Sequence, residues 1–193
     1  MAIEFEKKYR ATPEKLIAID KATDGFRCEI HMETTYYDTP EGAMAARRYT
    51  LRRRMENDQS VCTLKIPAQG GGRGEFEVCC DRIEDAIPRL CKLSGIEELT
   101  GLTADGLVPV CGAKFTRIAK TIELPGCTVE LALDQGVLTG GGREIPLWEM
   151  EVEHKAGSRE LAVAYARILA ENFSLTEEHY SKFRRALDLA KGV

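Results

Sequence analysis

Glycine-rich turns divide this chain into short segments in which polar and apolar residues alternate. The turns fall at residues 69–72, 101–106, 125–126 and 140–142. Successive side chains of a β-strand point to opposite faces, so this alternation predicts strands with one polar and one apolar face. The segments that show it are 2–10, 25–38, 48–56, 60–67, 73–80, 114–124, 127–134 and 144–155.

Helices are predicted in only a few places. Their ranges are 14–22, 82–93, 158–172 and 176–190, the first after Thr12-Pro13 and the last beginning at Thr176. Most strands follow one another without an intervening helix, which argues against a doubly wound parallel sheet. We therefore predict an α+β fold, an eight-stranded antiparallel β-barrel (tunnel) with flanking helices, as a single domain over residues 1–193.

Composition excludes several classes of protein. The formal net charge is −4 and the pI is about 5.6, so a generic binder of nucleic acid is not expected. No apolar run approaches the length of a membrane span, and the N-terminus is charged from Glu4 onward, unlike a signal peptide. The seven scattered cysteines include no C-x-x-C pair, which favours free thiols in a reducing cytoplasm. The oligomeric state is left open.

Carboxylates recur at every second position in the first and last predicted strands. Glu4 and Glu6 share one strand face, as do Glu149, Glu151 and Glu153. Carboxylates spaced i, i+2 lie roughly 7 Å apart and repel by about 2 kcal/mol at an effective dielectric near 20. A divalent cation with hard oxygen ligands offsets this repulsion. The pattern predicts a metal site.

Basic side chains also recur at every second position on the strands between the first and the last predicted strand. Arg52 and Arg54 share a face, and Lys65, Arg73 and Arg117 lie on neighbouring strands. A single strand of this kind could simply have a solvated face. Because charges recur on nearly every strand, we predict instead a charged interior that binds a metal–polyphosphate complex, with an apolar exterior covered by helices.

A set of motifs resembles one known family. Glu4-x-Glu6-x-Lys8 is similar to the ExExK signature of the CYTH superfamily, the triphosphate tunnel metalloenzymes. Further similarity follows in order at 35–54, 62–67, 73–78, 130–136, 148–157 and 181–187. One E-x-E-x-K motif would be weak evidence, but ordered blocks over nearly the whole chain are specific.

The resemblance implies an eight-stranded tunnel and a role for each matching residue. The implied ligands of Mg²⁺ or Mn²⁺ are Glu4, Glu6, Glu149, Glu151 and Glu153. The implied phosphate contacts are Lys8, Arg52, Arg54, Lys65, Arg73, Arg117, Lys182 and Arg184, with the adjacent Arg185 as an alternative to Arg184. The implied catalytic set is Lys8, Arg52, Arg54 and Glu75, while Glu77, Glu130 and Asp134 would line the tunnel.

Family members hydrolyse inorganic triphosphate, thiamine triphosphate or nucleotide and RNA 5′-triphosphates, and one branch cyclises ATP. The expected activity is metal-assisted hydrolysis of a small-molecule triphosphate, with inorganic tripolyphosphate as the first choice. Thiamine triphosphatase, nucleotide triphosphatase or class IV-type adenylate cyclase activity are alternatives, as is a non-enzymatic polyphosphate sensor. An organic substrate would need an aromatic partner, for which Tyr36, Tyr37 and Tyr49 are candidates. The general base is a carboxylate or a lysine.

Overall fold

A computed structural model of the chain describes residues 2–68 and 73–193, with side chains described from Phe5 onward. The turn predicted at 69–72 and the side chain of Glu4 lie outside the described part. The strands are Ala2–Glu4 (β1), Glu6–Arg10 (β2), Phe26–Asp38 (β3), Thr50–Glu56 (β4), Gln59–Pro67 (β5), Arg73–Cys79 (β6), Val108–Leu124 (β7), Cys127–Gly140 (β8), Arg143–Gly157 (β9) and Thr176–Glu177 (β10). The helices are Pro13–Ala22 (α1), Ala43–Ala46 (α2), Ile83–Ser94 (α3), Glu98–Leu102 (α4), Arg159–Asn172 (α5) and Lys182–Lys191 (α6).

All strands of the described residues form one antiparallel sheet, in the order β1-β6-β5-β4-β3-β7-β8-β9-β2-β10. The α+β prediction is confirmed. Strands β1 and β2 are successive parts of one chain segment, separated only by Phe5, yet β1 pairs with β6 and β2 pairs with β9. Residues 2–10 thus join the two sides of the sheet, which curls around an interior.

The hydrogen-bonded ladder is nevertheless not a closed ring of eight strands. Residues 2–4 pair with β6, whereas residues 6–10 pair with β9. The two-residue β10 pairs with the other edge of β2. Strands β2 to β9 correspond to the eight predicted strands, and β1 is the beginning of the first of them.

Strand β7 begins earlier than predicted and strand β8 ends later, and each contains a glycine in the part that was not predicted. Gly112 lies inside β7, where a Cβ would come within 2.7 Å of the Thr34 carbonyl oxygen. Gly136 lies inside β8, where a Cβ would come within 2.1 Å of the Lys114 carbonyl oxygen. These glycines allow close approach of neighbouring strands rather than ending a strand.

Two apolar clusters lie between the sheet and the helices outside it. Helices α1 and α5 cover β2, β7, β8 and β9 through residues such as Leu16, Leu131 and Met150. Helix α3 covers β4, β5 and β6 through residues such as Leu64 and Leu90. The predicted apolar exterior is therefore present. None of the helices within residues 2–68 and 73–193 is long and apolar enough to span a membrane.

A third apolar cluster lies on the inner face of the sheet. Phe115, Leu138 and Leu147 belong to it, together with Ala186 of α6. Leu147 is two residues from Glu149 and shares its face, so α6 packs on the side that carries the charges. The interior predicted to be charged throughout is thus apolar at one end, where α6 fills it.

Helix α6 begins later than the sequence indicates. The predicted start at Thr176 is wrong: Thr176 and Glu177 pair with β2, and Ser181 is the N-cap, its Oγ accepting a bond from Arg184 N. Because the helix starts at Lys182, its first residue points a long basic side chain into the interior.

Candidate active site

One cavity of about 140 Å³ lies in the charged part of the interior. It is lined by Glu6, Lys8, Tyr36, Thr50, Arg52, Arg54, Lys65, Arg73, Arg117, Glu130, Ala132, Glu151, Glu153, Ser181, Lys182 and Phe183. Most of the side chains singled out in the sequence therefore meet in one space, although they come from eight strands and one helix.

A row of carboxylates crosses three neighbouring strands at the cavity. Glu6 of β2 pairs with Glu153 of β9, which pairs with Glu130 of β8. Side chains directly opposite on antiparallel strands have Cβ atoms about 4.5–5.5 Å apart, so Glu153 lies next to each of the other two carboxylates. Lys8 Nζ lies 3.2 Å from Glu6, and Lys155 Nζ lies 2.8 Å from Glu153. Carboxylates are the hard oxygen donors that a divalent cation prefers, but among the described residues only Asp134, Glu149 and Glu151 bring three such oxygens within 4.8 Å of one another.

The opposite wall is cationic. Arg52 Nη2 and Lys65 Nζ both contact Glu75 Oε1, at 3.2 and 3.1 Å. Glu75 therefore holds two cations from beside the cavity and does not line it, which favours a positioning role over the predicted catalytic one. The buried Arg52 Nε has no hydrogen-bond partner among the described residues.

Arg54 is the most electrostatically strained cation of this wall. Its Nε donates to Thr34 Oγ1 at 3.1 Å, and the side chain is almost fully buried. Burial, with the neighbouring charges of Arg52 and Arg117, lowers the pKa of Arg54 to about 10. The guanidinium is still protonated at neutral pH, and a bound anion would relieve the repulsion.

A second cluster of charges surrounds Lys182, which lines the cavity together with Arg117 and Glu151. Its Nζ is 2.8 Å from Asp134, 2.5 Å from Glu149 and 2.6 Å from Glu151. Arg117 adds a bidentate pair to Asp134, with both distances 2.7 Å, and a 2.6 Å bond to Glu151. Three carboxylates thus face cations from α6 and β7.

The pKa shifts in this cluster follow from its ion pairs. Burial alone would lower the pKa of Lys182, but Asp134, Glu149 and Glu151 together raise it. Burial alone would raise the pKa of Glu151, but Lys182 and Arg117 hold it well below the usual range. Burial raises the pKa of Glu149, and Lys182 offsets only part of this rise.

Asp134, Glu149 and Glu151 offer oxygens within 4.8 Å of one another, a geometry that could hold a metal ion. The cation that they bind in the structure is the ammonium of Lys182. Glu149 also accepts a bond from Arg185 and does not line the cavity. The predicted role of Glu149 as a metal ligand stays a prediction, since Glu149 belongs to this triad but does not line the cavity, whereas Glu6, Glu151 and Glu153 do line it.

The two adjacent arginines of α6 point in different directions. Arg184 is exposed and pairs with Asp188 at 2.8 Å, outside the cavity. Arg185 points inward and contacts Glu149 and Glu178. The choice of Arg184 as a phosphate contact is therefore not supported, because Arg185 has the inward position on this helix.

Aromatic residues complete the cavity wall. Phe183 packs against Tyr36 with ring centroids 5.0 Å apart, and both line the cavity. Of the three tyrosines considered in the sequence, Tyr37 and Tyr49 instead pack against the outer apolar cluster. Phe183 was missed because its position depends on where α6 begins.

The comparisons with known proteins agree with this architecture. A family model for the CYTH domain matches residues 2–187. An inorganic triphosphatase of Haemophilus influenzae is 29% identical over 164 residues, which are 82% of this chain and 47% of that protein. The chain thus spans about half the length of this curated relative.

Solved structures share the fold at low sequence identity. A Hippeastrum protein, described as an adenylyl cyclase with a dominant triphosphatase activity, has a TM-score of 0.68 at 18% identity, covering 98% of this chain and 96% of that one. A Pyrococcus horikoshii protein has a TM-score of 0.62 at 22% identity, covering 97% and 99%. Because the family model spans nearly the whole chain, this chain belongs to the CYTH domain family.

Proposed function

We propose that this protein is a divalent-metal-dependent hydrolase that cleaves a phosphoanhydride bond of inorganic tripolyphosphate, giving pyrophosphate and phosphate. The observation that carries the proposal is the single cavity in which a row of carboxylates faces a wall of arginines and lysines. A metal–polyphosphate complex requires both signs of charge in one enclosed space. The name of the Haemophilus relative, an inorganic triphosphatase, supports the same substrate class.

The cationic wall would bind the phosphoryl oxygens. Arg52 supplies an unpartnered buried Nε, and Arg54 is buried beside it. Guanidinium groups donate two parallel hydrogen bonds to phosphate oxygens, which fixes orientation as well as charge. Donors held in place by Glu75 and Thr34 need no reorganisation as charge develops on the leaving phosphate, and this lowers the barrier.

The carboxylate row would hold Mg²⁺ or Mn²⁺ through Glu6, Glu130 and Glu153, with Glu151 at its border. When bound, the metal supplies positive charge that polarises a phosphoryl oxygen. Arginine has no lone pair to accept a proton, so a water in the cavity would be oriented or deprotonated by a carboxylate of this row or by Lys8. Lys8 also donates to Glu6, which keeps that carboxylate in position.

Thiamine triphosphate is the second candidate substrate, and the aromatic pair is the observation that favours it. Tyr36 and Phe183 offer ring surface at the cavity wall, where a thiazolium or pyrimidine ring could stack. The lining favours the inorganic substrate, because most residues around the cavity are Lys, Arg or Glu and only Tyr36 and Phe183 are aromatic.

The deciding experiment measures phosphate release from tripolyphosphate, thiamine triphosphate and ATP, each with Mg²⁺ and with Mn²⁺. We expect tripolyphosphate to have the highest kcat/KM and chelation with EDTA to abolish turnover. A preference for thiamine triphosphate that Phe183→Ala removes would move the assignment to the organic substrate. Tight tripolyphosphate binding without turnover under either metal would contradict the enzyme and leave a polyphosphate sensor.

A further inference from the structure

Strand β3 has an uncovered edge. Residues 32–37 of β3 pair with β4 on one side and β7 on the other, whereas residues 26–31 pair with β7 alone. Within residues 2–68 and 73–193, no strand lies against the other side of 26–30. This edge is open to solvent, and Phe26 is 80% exposed. An uncovered edge with an exposed aromatic residue is a template for pairing with another strand.

The hydrogen bonds of His31 show which backbone groups face this edge. His31 N donates to Asn57 Oδ1 at 3.0 Å, and Asn57 N donates to the His31 carbonyl at 2.8 Å. Asn57 is in the β4–β5 turn, so these groups of His31 point away from β7. Backbone groups alternate sides along a strand, so Glu29 and Arg27 direct their N–H and C=O groups to the same open edge.

We propose that a second copy of this chain pairs with this edge in antiparallel fashion, with Cys28 opposite the second copy's Cys28. In this two-fold register Arg27 lies opposite the second copy's Glu29, and Glu29 lies opposite its Arg27. Phe26 lies opposite the second copy's Ile30, so apolar side chains also meet. The segment is complementary to itself in both charge and hydrophobicity, as an interface between identical chains must be.

The register agrees with the direction of the backbone groups. The two pairs of Arg27 and Glu29 are the ones that exchange backbone hydrogen bonds, because these residues face the edge. Cys28 then forms a pair without backbone hydrogen bonds, in which the Cα atoms are about 4.5 Å apart. That separation is within the range of about 4.4–6.8 Å found for disulfides. The thiols stay reduced in a reducing medium and offer a cross-linking probe in an oxidising one.

Other registers of the two strands would be less stable. A shift of two residues in one direction places Arg27 opposite the second copy's Arg27, and a shift in the other places Glu29 opposite its Glu29. Like charges directly opposite one another destabilise strand pairing. A shift of one residue mismatches the outward-facing backbone groups and puts side chains on the wrong faces. The Cys28-centred register is thus the one that the segment specifies.

The proposed interface is small, so the association is weak. A ladder of five residues buries less than the roughly 1,200 Å² of a standard stable interface, so the dimer depends on protein concentration. Within one chain Arg27 already lies 3.3 Å from Glu29 and 3.5 Å from Asp20, but these are exposed pairs that contribute little. Their rearrangement does not prevent pairing.

The first test uses the full chain. Sedimentation velocity with reductant present should show a dimer fraction that rises with protein concentration. Diamide should then convert it to a covalent dimer on a non-reducing gel, each pair of thiols giving up two electrons and two protons to the diamide. Cys28→Ser should abolish the covalent dimer, and Cys79→Ser, which changes another exposed cysteine, should not.

The second test reverses the charges. Glu29→Arg places two like-charge contacts in the interface and should lower the cross-linking yield about tenfold. Arg27→Glu combined with Glu29→Arg restores opposite charges and should restore the yield. A monomer at every concentration, cross-linking that survives Cys28→Ser, or a yield unaffected by Glu29→Arg would overturn the proposal. These readouts do not involve hydrolysis, so they do not bear on the proposed activity.

Discussion

Two charged regions lie side by side inside the sheet and differ in how their charges are paired. Around Lys182, three carboxylates face Lys182, Arg117 and Arg185 in a closed set, in which each carboxylate contacts two of the cations. Elsewhere along the cavity, the carboxylates of Glu6, Glu130 and Glu153 and the guanidinium groups of Arg52 and Arg54 line the same space from different strands. The carboxylates of the closed set are paired within it, whereas the cavity gathers charges of both signs around a space that a ligand could enter.

The comparison predicts that loss of one charge affects stability in the first region and turnover in the second. A change in the closed set should reduce stability, because it leaves buried charges without partners. A change in the cavity should reduce turnover and leave stability almost unaltered.

The largest effect is expected for Lys182→Met, which keeps the length of the side chain and removes its charge. Asp134, Glu149 and Glu151 then lose a shared buried partner, and the free energy of unfolding should fall by about 3–5 kcal/mol at neutral pH. Urea unfolding measures this fall. Lys191→Met, at the exposed end of the same helix, is the matched control and should change stability by less than about 0.5 kcal/mol.

The effect of Lys182→Met should also depend on pH. The folded-state pKa of Glu151 is depressed, so its ion pairs stabilise the protein above its unfolded pKa and this contribution is lost as pH falls. In the variant the buried carboxylates lack Lys182, their folded-state pKa values rise, and protonation relieves them. The difference from the unaltered protein should therefore be larger at pH 7.5 than at pH 5. An equal difference at both pH values would show that Lys182 acts through packing alone.

The next effect concerns the cavity. Glu6→Ala removes one carboxylate of the row, so kcat/KM with tripolyphosphate should fall by about 10²–10³, the scale found when one group that stabilises a transition state is removed. Because Glu6 is partly exposed and belongs to no apolar cluster, the unfolding midpoint in urea should hardly move. Glu144→Ala, an exposed glutamate of β9 outside the cavity, controls for general loss of negative charge. Unchanged turnover in Glu6→Ala would refute the metal site.

Much of the fold could be predicted from local pattern, because period-two alternation reports directly which residues form strands. Side chains of one face were predicted correctly to meet, as Glu6 and Glu153 do. The sequence could not show how far the strands extend or where the last helix begins. Gly112 and Gly136 have the composition of turns, and only the approach of the neighbouring strand explains them. Pairing with β2, a long-range contact without a local signal, keeps Thr176 and Glu177 out of α6, which begins after the Ser181 N-cap.

The smallest effect is expected for Arg185→Ala, which tests which side of α6 faces the interior. Arg185→Ala removes a partner from the buried Glu149 and Glu178, although Lys182 and Arg10 still contact them, so we expect a loss of about 1–3 kcal/mol. Arg184→Ala removes only an exposed pair with Asp188 and should lie within about 0.5 kcal/mol of the unaltered protein. Urea unfolding compares the two neighbours directly. Equal losses, or a larger loss of turnover in Arg184→Ala, would mean that α6 presents its other face to the interior.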